Sequence, residues 1–61
     1  MNWRWQLSED EIRKSGDTML LAYHNFLFRF ADELIKDNEE DFITIYKITE
    51  NEILRRMKGE H

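Results

Sequence analysis

The sequence predicts a mostly α-helical fold, either a helical hairpin or a small helical bundle. Its 61 residues include no proline and only two glycines, so few positions favour a tight turn. Apolar residues recur at intervals of three and four along most of the chain, which is the period of an amphipathic helix. A chain of this length supports one hydrophobic core, so we expect residues 1–61 to form a single small domain.

Residues 1–7 are predicted to form an extended N-terminal arm, and the first helix is predicted to begin directly after Ser8. Ser8 and Glu11 have the spacing of a capping box, in which each side chain accepts a hydrogen bond from the backbone N–H of the other residue. Leu7 and Ile12 occupy the two positions of a hydrophobic staple around the same cap. Both motifs therefore indicate the same helix start.

A glycine at position 16 leaves the end of this first helix open. In one interpretation the helix ends at Gly16, and Asp17 or Thr18 caps a new helix. In the other the helix continues, because apolar residues keep their helical phase across the glycine. The residues in phase are Ile12, Gly16, Met19, Tyr23, Phe26, Phe30 and Leu34. We favour the second interpretation and predict one helix from residue 9 to about residue 37, bent at Gly16.

A second helix is predicted from about residue 39 to residue 58, with Asn38 as its N-terminal cap. Three acidic residues follow the cap, and Gly59 is suited to end the helix. Residues 42–48, however, are rich in β-branched and aromatic side chains, which favour a strand. The alternative is therefore an α+β fold with two short strands near residues 2–7 and 42–48.

The predicted first helix has more apolar surface than one neighbouring helix covers. We define a first seam as Met19, Tyr23, Phe26 and Phe30, and we expect the second helix to cover it. A second seam consists of Leu21, Phe28 and Ile35 at heptad spacing, with His24 and Ala31 between them. Leu20 and Leu27 lie between the two seams. The second seam is predicted to face outward, where it needs a partner.

The composition excludes several classes of protein. There is no cysteine, so disulfides, thiolate zinc sites and a cysteine nucleophile are ruled out. The longest uninterrupted apolar stretch, residues 19–23, is far too short to cross a membrane. No secretion signal is recognisable, so we expect a cytoplasmic protein. The net charge is −4, and residues 32–41 alone carry a net −5, which makes direct binding of nucleic acid unfavourable.

No pattern in the sequence indicates catalysis, a metal or a cofactor. The serines and threonines lie at predicted caps or beside Gly16, without a positioned base. Asp37, Glu39 and Asp41 match the first positions of a calcium loop, but Phe42 and Ile48 stand where that loop needs glycine and glutamate. We therefore expect a protein that is not an enzyme and needs no cofactor.

The best-supported function is contact with another protein. Two tryptophans stand in the short arm, and tryptophan is enriched at binding hot spots. The predicted interaction residues are Trp3, Trp5, Leu21, His24, Phe28 and Ile35. We expect a small intracellular regulator or inhibitor that uses the apolar helix face to bind a partner protein, a second copy of itself, or both. The alternative is an acidic regulator that mimics DNA or associates with nucleic acid.

Overall fold

The computed structural model describes residues 4–59, which contain three helices and no strand. Helix α1 comprises Glu9–Lys14, α2 comprises Asp17–Arg29 and α3 comprises Ala31–Met57. The mostly α-helical prediction is confirmed. The α+β alternative is wrong for the described residues, because 42–48 lie within α3. A helix there turns Phe42, Ile45 and Thr49 toward one core, whereas a strand would bury alternate residues.

The chain reverses direction at Asn38, within α3. This residue has extended dihedral angles (φ −160°, ψ 95°), and its Oδ1 accepts a hydrogen bond from the N–H of Asp41 at 3.1 Å. Asn38 is therefore the N-terminal cap of the second half of α3, as the sequence predicts. After the reversal the chain runs antiparallel to α2, and contacts such as His24 with Thr49 join the two halves of this hairpin.

The arm and α1 cover one side of this hairpin. Ser8 and Glu11 form the predicted capping box, and the N–H of Ser8 lowers the pKa of the Glu11 carboxyl by donating to it. The Tyr23 hydroxyl donates to the carbonyl of Trp5 and accepts from the N–H of Leu7, which fixes the arm to α2. Burial raises the pKa of this phenol, so it keeps the proton that it donates.

The prediction of one helix from residue 9 to 37 is wrong at Ser15 and Gly16. Both residues have extended backbones, with ψ of 144° and 163°, and α2 begins only at Asp17. The break lets α1 turn back along α3, where Ile12 becomes completely buried. Beyond Gly16 the helix runs on to the reversal with only a local distortion at Phe30, which still makes hydrogen bonds to Phe26 and Leu34.

The core between α2 and α3 lies between the two seams rather than on the first. Leu20, Leu27 and Leu34 form its central row at heptad spacing. Met19 and Phe30 of the first seam are exposed, so the prediction that the second helix covers that seam is wrong. The reason is that aromatic neighbours and the arm occupy the first-seam side of the hairpin, which leaves the leucines to face the part of α3 that follows Asn38.

Helical spacing in the sequence predicts that one face of the second helix is formed by Phe42, Tyr46, Thr49, Ile53 and Met57, and the buried face of α3 is displaced from it. Thr49 and Phe42 are buried as expected, but Met57 is 76% exposed and Glu52 is 5% exposed. The shift brings Ile45 and Glu52 toward the arm and α1, which pack on that side. Two layers of contact, α2 on one side and α1 on the other, therefore determine which residues of α3 are buried.

The acidic residues after Asn38 are predicted to be dispensable for folding. Glu39 and Glu40 are exposed in the first turn of the helical segment that Asn38 caps. Changing both to glutamine removes a favourable interaction with the helix dipole and no packing, so the free energy of unfolding should fall by less than about 1 kcal/mol. Urea unfolding followed by circular dichroism measures this change. A loss of cooperative unfolding would show instead that these side chains belong to the packed structure.

Candidate protein-binding face

The side of the hairpin opposite α1 carries a group of exposed apolar side chains. We call this surface the open face and define it by Leu21, Phe28, Ile35, Ile43, Leu54 and Met57. The exposed fraction is 67% for Phe28 and 56% for Leu21. These exposed fractions are high for apolar side chains, whose removal from water lowers the free energy of the protein.

The two helices contribute to the same surface. Leu21 of α2 and Met57 of α3 line one depression of about 220 Å³, together with Ile53. Glu9 of α1 instead lines a groove with Ile48 on α3. Residues five apart, such as 48 and 53, lie about 140° apart around a helix, so the open face and α1 are on opposite sides of the hairpin.

His24 joins α2 to α3 beneath the open face. Its ring centroid is 4.7 Å from that of Tyr46, and its Nδ1 is 3.0 Å from Oγ1 of Thr49. The Thr49 hydroxyl donates its single proton to the Tyr46 carbonyl, so Nδ1 of His24 is the donor in the contact with Thr49. Within the described residues His24 thus acts as a polar bridge between the helices, where it supports the neighbouring apolar side chains.

The tryptophans of the arm are not part of the open face. Trp5 is 5% exposed, its Nε1–H donates to Oδ2 of Asp37 at 2.9 Å, and its ring lies 6.4 Å from that of Phe42. Both the ring and the polar group are therefore occupied within the chain, and in this structure Trp5 is not available to a partner. Trp3, the other predicted contact, lies outside the described residues.

Of the predicted interaction residues, the structure brings Leu21, Phe28 and Ile35 together on one face, with His24 beneath them. Trp5 lies apart from this face. Ile43, Leu54 and Met57, which form the α3 half of the face, are not among the interaction residues predicted from the sequence. Their spacing of eleven and three residues is helical, and that signal identifies them once 42–57 is known to be helical.

Charge is distributed unequally along the 37 Å length of the molecule. Residues 32–41 surround the reversal and carry a net −5, of which Arg4 in the arm offsets one unit. At the other end, residues 13–17 and 52–58 contain five basic and two acidic residues, but Arg13 pairs with Glu9 and Lys14 with Asp10, so the net charge of this end with those partners is +1. We call these the acidic end and the basic end.

The basic end also contains the most extensive polar contacts of the fold. The Arg56 guanidinium bonds to Glu52 at 2.9 Å and Asp17 at 2.7 Å, and to the carbonyls of Arg13 and Ser15. Glu52 also accepts from Arg55. The hydrogen bonds from Arg55 and Arg56 lower the pKa of Glu52 despite the opposing effect of burial. All of this cluster is satisfied internally, so its evident role is structural.

No protein family, curated protein or solved structure matches this chain. Within residues 4–59 no three His, Asp or Glu side chains are grouped so that they could hold a metal ion. None of the helices in that range is both long enough and apolar enough to span a membrane. The open face is the surface of the described chain with the clearest chemical preference, and that preference is for another apolar surface.

Proposed function

We propose that this protein is a small intracellular interaction module, a regulator or inhibitor that binds a protein through the open face and performs no chemistry of its own. One observation carries the proposal: Leu21 and Phe28 are more than half exposed on the same side of a hairpin whose other side is already covered by α1. Fully burying a side chain of this size is worth roughly 1.5–3 kcal/mol.

The surroundings of the face agree with this use. Interfaces typically have an apolar centre and a polar rim. Here Asn25 is exposed on α2 beside the face, while Glu50 is seven residues from both Ile43 and Met57 and places one carboxylate in the same row as these two side chains. The helices beneath are fixed by the His24 bridge and the leucine row, so binding requires no reorganisation of the backbone.

The alternative, an acidic mimic of DNA, has weaker support. Its surface would be the acidic end, but Asp32 and Glu33 lie in the first turn of α3, and Asp37 accepts from Trp5. These roles account for the residues without a basic partner. The two functions differ in their response to salt, because binding through charge weakens steeply as salt is raised whereas binding through apolar contact changes little.

A photo-crosslinking amino acid placed at Phe28 tests the proposal directly. In extract of the native host it should give a discrete covalent adduct, because Phe28 is at the centre of the open face. Met19 is the matched control: its exposed fraction is 66%, but it lies on the first seam, away from the open face. The same group at Met19 should give no such adduct. Equal adducts from both positions, or none from Phe28, would contradict the proposal.

A further inference from the structure

The open face is suited to a second copy of the same chain. Resting on the proposed function, we propose that two copies pack open face to open face about a two-fold axis perpendicular to the long axis of the molecule. The two hairpins then run antiparallel, with the acidic end of each copy over the basic end of the other. Size, helix geometry and charge each support this occupant.

The available area matches what a small stable dimer needs. The molecule measures 37 × 17 × 17 Å, so its open side is roughly 600 Å² in projection. Two copies together would bury about 1,200 Å², the lower limit of standard interfaces. Chains near sixty residues bury only about 60% of the surface that the unfolded chain exposes, less than larger domains do, and oligomerisation is a common supplement. For a chain without cysteine, self-association supplies that burial.

The face also has the form of half of a helical bundle. It consists of two adjacent antiparallel helical segments, and Leu21, Phe28 and Ile35 repeat every seven residues along one of them. Stacking two such layers produces a four-helix bundle whose centre is made of these side chains. The arm and α1 remain on the outside of each layer, so the association requires no change in either copy.

Charge selects the antiparallel orientation. A two-fold axis along the length of the molecule would place acidic end against acidic end, with residues 32–41 of both copies in proximity. A perpendicular axis instead keeps the two net −5 segments apart and places each of them near the weakly basic end of the other copy. Opposite charges at the rim of an interface determine its orientation and exclude the wrong register. The unequal ends are therefore the feature that distinguishes the two dimers.

The first test is the oligomeric state of the purified full chain by sedimentation equilibrium. The wild-type protein should be a dimer at micromolar concentration. Leu21→Glu combined with Phe28→Glu should raise the dissociation constant at least about a hundredfold, while circular dichroism shows that the helices remain. Met19→Glu should leave the dissociation constant within about threefold of the wild-type value, because Met19 is equally exposed elsewhere. A wild-type protein that is monomeric at millimolar concentration would overturn the dimer.

The second test concerns orientation. Glu39→Lys with Glu40→Lys changes the charge of residues 32–41 from −5 to −1, and Lys14→Glu with Lys58→Glu lowers the charge of the basic end by four units, which makes that end acidic. In the antiparallel dimer the second variant should self-associate about tenfold or more weakly than the wild type, because two acidic ends then face each other, whereas the first variant should associate only slightly more weakly. Mixing the two variants should give tighter association than the second variant alone, since one of the two pairs of ends again joins opposite charges. In a parallel dimer the first variant would associate more tightly than the wild type, which would contradict the proposed orientation.

The dimer and the proposed function can fail separately. If the purified chain is monomeric but the crosslinker at Phe28 captures a different protein, the dimer is wrong and the interaction module stands. If the Leu21 and Phe28 variant loses its helical circular dichroism signal, the single change Phe28→Gln provides the same comparison with less added charge. If that variant is also unfolded, the face is part of the core, and both proposals are overturned.

Discussion

Replacing Arg56 by methionine is expected to lower the free energy of unfolding more than replacing its neighbour Arg55 does, a substantial loss for a domain this small. Arg56 is the only residue that contacts Glu52, Asp17 and the end of α1 together in the described chain. Without it, Glu52 keeps only Arg55 as a partner in a nearly buried position, and the carbonyls of Arg13 and Ser15 lose their donor. Methionine retains most of the aliphatic volume of arginine, so the loss of stability measures the contribution of the guanidinium group.

Urea unfolding followed by circular dichroism measures this loss, and Arg55→Met is the matched control. Arg55 also pairs with Glu52, but its side chain is 49% exposed whereas that of Arg56 is 20% exposed. Its replacement should cost no more than about 1 kcal/mol, as expected for an exposed ion pair. Equal losses from the two changes would mean that the contacts to α1 contribute nothing.

The same cluster makes stability depend on acid pH. Because the folded state lowers the pKa of Glu52, the stabilisation is fully present above the ordinary glutamate pKa of about 4.3 and is lost as the pH falls through the lowered value. Glu52→Gln should therefore flatten the acid side of the stability profile. The flattening is partial, since the pKa of Glu11 is lowered in the same direction by Ser8. An unchanged slope in Glu52→Gln would contradict the role of the cluster.

Replacing Trp5 by alanine is expected to cost about 3–5 kcal/mol and to leave the chain largely unfolded at room temperature. Trp5 contributes the largest buried ring of the core, packed near Phe42, and it holds the arm against the acidic end through Asp37. Trp5→Phe keeps most of the apolar area but loses the hydrogen bond to Asp37, so it should cost roughly 1–2 kcal/mol.

Thermal unfolding by circular dichroism distinguishes these variants, with Gln6→Ala as the control. Gln6 is the next residue of the arm, and its amide reaches Asp41 at 3.5 Å in an exposed position. Its removal should change the midpoint by only a few degrees or less. If Trp5→Ala is as stable as Gln6→Ala, the arm is not part of the core. That result would return Trp5 to the role of an exposed contact for a partner.

Local sequence signals determined where several helices begin and end. The capping box at Ser8, the cap at Asn38 and the left-handed Gly59 (φ 84°) all act through bonds within a few residues. Such signals work without knowledge of the rest of the fold, because the donors and acceptors that they satisfy are adjacent in sequence. The mostly helical class and the outward position of Leu21, Phe28 and Ile35 were predictable for the related reason that helical periodicity is local.

The end of α1 and the identity of the buried row were decided by tertiary structure. The helical spacing of apolar residues continues across Gly16, so the sequence favours an unbroken helix. The break is stabilised instead by Arg56, which donates hydrogen bonds to the carbonyls of Arg13 and Ser15. Arg56 is forty residues from Gly16 along the chain, so no local signal reveals this contact. Likewise, three adjacent apolar rows on α2 are equally suitable as a core, and packing of the arm through Tyr23 selects the leucine row. When a helix has several faces of similar hydrophobicity, the position of the neighbouring helices determines which face is buried.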